Sequence, residues 1–177
     1  NGSNDILELV ARAFIAQGQT AVYSQHAFAV YPLAVQAVGG VGIEVPAQNF
    51  AHDLEAMAAA IAANTKVVFI ANPNNPTGTW FSRRVFESFM AQVPESVLVV
   101  LDEAYVEYAT DSHFMNGFDY VDKYPNLLVS RTFSKAYGLA SLRVGYAIAS
   151  PDITNILNRV RQPFNVNSFA LAAAAAS

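Results

Sequence analysis

At 177 residues, 53% of them hydrophobic and 14% charged, the chain suits one domain with a substantial core and some surface meant for covering by other protein. A net charge of −4 leaves no electrostatic footprint for nucleic acid, and the absence of cysteine excludes disulfides. No apolar run approaches the roughly 18 residues of a membrane span, and no signal peptide is visible, so a soluble, cytoplasmic protein with no membrane partner is expected.

The chain opens on the turn Asn1-Gly2-Ser3-Asn4-Asp5. Ile6, Leu9, Val10, Ala13 and Phe14 then recur at helical spacing, with Ser3 or Asn4 expected as N-cap. A glycine turn before a helix presents free backbone N–H groups, the form of an anion site, although most such ends bind nothing. Asp5 suits the helix dipole but would repel a phosphate unless it points away. Thr20 to Ser24 reads as a strand, followed by Gln25-His26-Ala27-Phe28-Ala29-Val30 and a helix from Tyr31 to Val38. Gly39-Gly40 breaks the chain before a short strand, Val41 to Val45. Asp53 to Ala63 is an Ala-rich helix with Leu54, Met57, Ala58 and Ile61 on one face. Lys66 to Ala71 is an apolar strand of the kind buried on both sides.

Asn72-Pro73-Asn74-Asn75-Pro76-Thr77-Gly78 is a rigid turn, in which Asn75 can offer an amide donor at the strand's C-terminal end. The helix Ser82 to Gln92 and a second apolar strand, Val97 to Leu101, follow, and Asp102-Glu103-Ala104-Tyr105 comes at once after them. Strands alternating with helices predict an α/β fold: three layers, with a doubly wound, mostly parallel sheet whose ligands sit beyond the strand C-termini. Asn75, Asp102, Tyr105 and Lys135 all fall at such ends.

From Asn126 to Ala149 the pattern is strand, polar loop, strand. Among the lysines, Lys66 and Lys123 look like ordinary solvated residues, whereas Lys135 lies between hydroxyls and a small-residue run, with Arg143 eight residues on. A hydroxyl, a lysine and an arginine offer donors for a phosphate beside an amine able to form a Schiff base. A plain surface loop carrying a basic residue fits this stretch equally well. Val144 to Ala149 follows with no helix long enough for a crossover, so this strand is expected antiparallel. Pro151 to Arg161 is a helix with Ile153, Ile156, Leu157 and Val160 on its buried face, and Ala172 to Ala176 could start another.

Other chemistries fit less well. Val97 to Glu103 resembles the acidic strand of a P-loop nucleotide hydrolase, but no G-x-x-x-x-G-K-[ST] loop is present. A serine–lysine hydrolase wants S-x-x-K, where this chain has Thr132. His26, His52 and His113 lack ligand spacing, so no metal is expected. Phe28, Tyr31, Tyr137 and Tyr146 are by default core or rim aromatics.

Taken together, the motifs resemble the fold-type I pyridoxal-phosphate aminotransferases, and among them the histidinol-phosphate aminotransferases. The resemblance rests on the segments starting at Asn1, His26 (HAFAVY), Asn72 (NPNNPTG), Leu101 (LDEAY), Ser130 (SRTFSKAYGLASLRVGY) and Arg161 (RQPFNVN). It implies pyridoxal 5'-phosphate as cofactor, with Lys135 bonded to its aldehyde and serving as the proton carrier. Asp102 would pair with the ring nitrogen, Tyr105 and Asn75 with the phenolic oxygen, and Phe28 would stack on the ring where many relatives carry tyrosine. Ser3, Asn4, Thr132, Ser134 and Arg143 would hold the phosphate. The implied reaction passes an amino group from a small-molecule donor, histidinol phosphate, to a 2-oxo acid, 2-oxoglutarate, in a homodimer. An aromatic amino acid aminotransferase or a threonine-phosphate decarboxylase shares these motifs, and an inactive cofactor-binding or partner-binding fragment is the reading from another class. Residues 1–165 are expected to be the cofactor-binding large domain, lacking its N-terminal arm and first strand. Residues 166–177 would begin the connection to an absent C-terminal domain, so that the chain alone would not transaminate.

Overall fold

A computed structural model describes residues 1–177 and builds them around one six-stranded sheet, in the order β2-β1-β3-β4-β5-β6. The strands are β1 (Thr20–Ser24), β2 (Val41–Val45), β3 (Thr65–Ala71), β4 (Leu98–Asp102), β5 (Leu127–Thr132) and β6 (Gly145–Ala149). Strands β1 to β5 are parallel, and β6 runs antiparallel to β5 with Ser130 opposite Ala147. Between β5 and β6 the chain forms only a 3-10 turn at Ala140–Leu142, too short to cross the sheet, so it returns alongside its predecessor as expected.

Helices cover both faces, which is why the central strands read as unbroken apolar runs. On one face lie α1 (Ser3–Phe14), α2 (Val30–Ala37) and α5 (Pro151–Val160); on the other lie α3 (Leu54–Ala59) and α4 (Arg83–Met90). The pleat divides each strand between two cores. Val67, Phe69, Leu98 and Val100 pack with Leu7, Val10, Tyr31 and Val35, while Val68, Ile70, Val99 and Leu101 pack with Met57, Phe86 and Phe89. Phe86 is fully buried and clasped by Phe81, Tyr120 and Tyr124, so Phe86→Ala would cost about 3–5 kcal/mol. A last helix, α6 (Ser168–Ala176), carries the exposed Phe169 and follows a loop that leaves Phe164 exposed. No helix is long and apolar enough to cross a membrane.

The structure departs from the sequence expectations in detail. Neither Ser3 nor Asn4 caps α1: the N-cap is Gly2, at φ 83, and Asn4 instead donates to Glu8 within the helix at 3.0 Å. Helix α3 stops at Ala59 rather than Ala63, because the Thr65 hydroxyl accepts the Ala62 N–H at 2.9 Å and turns the chain into β3. In α5 only Ile153 is buried; Ile156, Leu157 and Val160 are half-covered.

Candidate active site

Alternation along β4 and β5 decides which polar groups meet. Leu98, Val100 and Asp102 face the α1/α2 side, as do Leu128, Ser130 and Thr132; Glu103 and Arg131 fall on the other side. Asp102 and Ser130 are cross-strand partners at the C-terminal ends. A cavity of about 240 Å³ opens there. It sits beside the point where the strand order reverses between β1 and β3, the crevice that doubly wound sheets offer to ligands.

Asp102 forms the floor. Its carboxylate is 5% exposed, accepting the Tyr31 hydroxyl on Oδ2 at 3.0 Å and the Ser130 hydroxyl on Oδ1 at 3.1 Å. Burial pushes this carboxyl up from the ordinary range, while the two hydroxyls, the Ala104 N–H and the charge of Lys135 pull it back down. Tyr31 is a core aromatic as expected, and it also forms a wall of the cavity. Its ring stacks on Phe69 at 5.0 Å and meets Phe28 edge-on at 6.0 Å. Burial and the Asp102 charge hold its phenol well above the usual value.

The side walls are Phe28 from the segment after β1, Asn75 from the proline turn after β3, and Tyr105 from the segment after β4. The turn uses its other asparagines structurally. Asn72 brackets Phe81, donating to its carbonyl at 3.2 Å and accepting its N–H at 2.9 Å. Asn74 donates to the His26 carbonyl at 3.1 Å and to Thr77 at 2.8 Å, leaving Asn75 to line the cavity. Lys135 is exposed on the loop after β5, with Nζ 5.2 Å from the centre of the Tyr105 ring.

Opposite the floor lies a cluster of donors. Ser3 and Asn4 line the cavity at the start of α1, whose first N–H groups have no side-chain cap. Arg143 comes over this end, donating to Ser134 at 3.2 Å and to the Ala140 carbonyl at 2.7 Å. Its own backbone is left-handed, at φ 57, an uncommon state for a non-glycine residue. Thr132 lines the same end and accepts the Ser134 N–H at 3.1 Å. Two glycines permit this approach. A Cβ on Gly2 would lie 2.8 Å from Arg143 Nη2, and one on Gly145 would lie 2.6 Å from Ser3 N. Asp5 accepts from the Asn165 amide at 3.3 Å and does not line the cavity.

Every site residue expected from the sequence therefore borders the same cavity. Tyr31 and Ser130 escaped the sequence argument as site residues, although Ser130 lies one pleat before Thr132 and so on the same face of β5.

The sequence matches the family described as "Aminotransferase class I and II" over residues 1–177. It is 67% identical over 177 residues to histidinol-phosphate aminotransferase 2 of Pseudomonas fluorescens (strain Pf0-1), covering 100% of this chain and 48% of that protein. The chain thus spans about half the length of the curated relatives it matches. Among solved structures, the histidinol-phosphate aminotransferase from Sinorhizobium meliloti in complex with pyridoxal-5'-phosphate superposes with a TM-score of 0.92 at 33% identity, covering 98% of this chain and 47% of that one. The L-threonine-O-3-phosphate decarboxylase from Porphyromonas gingivalis gives 0.85 at 27%, covering 99% and 50%. With the family match running over all 177 residues, this chain belongs to the class I and II aminotransferases.

Proposed function

We propose that this chain binds pyridoxal 5'-phosphate in the cavity and is the cofactor-binding part of a transaminase. The reaction passes the amino group of histidinol phosphate to 2-oxoglutarate, giving imidazole acetol phosphate and glutamate. The observation that carries the cofactor is the meeting of Asp102, from the end of β4, with Lys135 and Arg143, from the β5–β6 connection, around one cavity. The donor set fits the group. A guanidinium, hydroxyls and uncapped helix N–H groups suit a phosphate monoester, and a buried carboxylate at the other end suits a protonated ring nitrogen.

When bound, the cofactor supplies a protonated ring that takes up the electron pair left as a bond to the amine-bearing carbon breaks. Asp102 would hold the proton on the ring nitrogen by favouring its charged form. Tyr105 and Asn75 would donate to the phenolic oxygen, and Phe28 would pack against the ring. Arg143 would hold the phosphate, with a planar fork of donors that a lysine lacks. Lys135 would supply the amine for the aldehyde and the group that carries the proton.

The donor substrate rests on sequence identity. The chain is 67% identical to a protein named histidinol-phosphate aminotransferase and 27% to the threonine-phosphate decarboxylase, while the sheet superposes on relatives of both kinds. We assign residues 1–165 as the cofactor-binding unit, residues 166–177 as leading out of it, and a homodimer as the working form. Borohydride reduction followed by mass spectrometry tests the cofactor: a phosphopyridoxyl adduct on Lys135 is expected, and its absence removes the proposal. Turnover of histidinol phosphate against phenylalanine by the full-length protein tests the donor, and a preference for phenylalanine would overturn the assignment.

A further inference from the structure

Tyr31 borders the cavity and its hydroxyl bonds the carboxylate assigned to the ring nitrogen, yet the roles derived above leave that hydroxyl without a function. We propose that Tyr31 is a positioning residue which, with Ser130, keeps Asp102 anionic, so that the proton shared with the cofactor resides on the ring nitrogen and not on the carboxyl. This rests on the pyridoxal-phosphate assignment.

The packing does not ask for a hydroxyl at this position. Tyr31 is fully buried, stacked on Phe69 and edge-on to Phe28, a setting in which phenylalanine would fill nearly the same space. A buried phenol is tolerated only when its O–H finds an acceptor, and the acceptor here is Asp102 Oδ2 at 3.0 Å. Ser130, equally buried, serves Oδ1 at 3.1 Å, so each carboxylate oxygen has its own hydroxyl donor. The remaining groups facing this carboxyl are the Ala104 N–H and Lys135. Donors of this kind favour the anion over the acid, since hydrogen bonds to a charged acceptor are roughly twice as strong as neutral ones. Loss of a donor therefore raises the proton affinity of Asp102 and draws the shared proton away from the ring.

The test is nitrogen-15 NMR of the full-length protein loaded with ring-labelled pyridoxal 5'-phosphate. Tyr31→Phe is expected to move the ring resonance toward neutral pyridine, by the equivalent of about a tenfold change in proton partition. Ser130→Ala is expected to move it the same way and stands as the second variant if Tyr31→Phe does not fold. In the apoprotein, the carbon-13 titration of the Asp102 carboxyl should shift upward in either variant. A purely structural Tyr31 would lower thermal stability and leave both signals in place, and that result overturns the proposal. Failure of the unsubstituted protein to retain the labelled cofactor overturns the cofactor assignment and this inference with it. Retention with an unmoved ring signal overturns only the inference.

Discussion

Asp102 and Glu103 are neighbours in sequence, both buried, and their carboxylates lie on opposite faces of the sheet. Asp102 meets the hydroxyls of Tyr31 and Ser130 beside the cavity. Glu103 receives Arg131 through Nε at 2.9 Å and Nη2 at 2.7 Å, and the Gly117 N–H at 2.7 Å. Arg131 in turn lies 3.7 Å over the Phe118 ring. One acid thus borders the candidate site, and the other ties the loop at Gly117 to β5.

Arg131→Ala leaves Glu103 charged and without its cation inside the protein, so it should destabilise by about 3–5 kcal/mol. Urea denaturation measures this. A loss under about 1 kcal/mol would mean that Glu103 is neutralised or rehydrated once its partner is gone.

Lys135→Ala should leave unfolding free energy within about 0.5 kcal/mol of the parent, because the side chain is exposed on a loop. The same substitution should remove the cofactor's absorbance band in a titration and the borohydride adduct. An adduct that persists at another lysine would relocate the tether.

Gly2→Ala forces a side chain into a left-handed backbone, φ 83, and places its Cβ 2.8 Å from Arg143 Nη2. The strain at φ 83, ψ 173 is about 1–3 kcal/mol, and displacement of the guanidinium should weaken cofactor binding by about tenfold. An equilibrium titration with pyridoxal 5'-phosphate checks the second effect and a thermal melt the first.

His52 gives the fold a pH dependence. Its Nε2 accepts the Ala71 N–H at 3.1 Å and burial lowers its pKa to about 4, so the folded protein holds it neutral. The unfolded chain takes up the proton near pH 6.5 and the folded one only near pH 4, so stability is full above about 6.5 and falls as pH drops toward 4. The loss is at most about 3 kcal/mol. His52→Gln should flatten that part of the stability–pH curve, which denaturation midpoints across the range would show.

Much of this was readable along the chain, and the misses have a common cause. Period and punctuation are local properties, so strands such as Lys66 to Ala71 and the antiparallel turn after Lys135 were recognisable from neighbours in sequence. Helix α3 was overextended because its stop is made by the Thr65 hydroxyl, and no glycine or proline marks it. Asn72, Asn74 and Asn75 look alike in sequence. Only their partners, Phe81 for the first and His26 for the second, separate scaffold from site.

The amino-acid sequence by itself determined the layered α/β architecture, the strand ends where polar residues gather, and the family to which those motifs point. The tertiary structure alone decided that Tyr31 bonds Asp102 across a gap of 71 residues and that Arg143 closes over the start of α1. Pattern reports which face a residue occupies within its own element; which faces then meet depends on strand order and register, and those are settled by packing across the whole sheet.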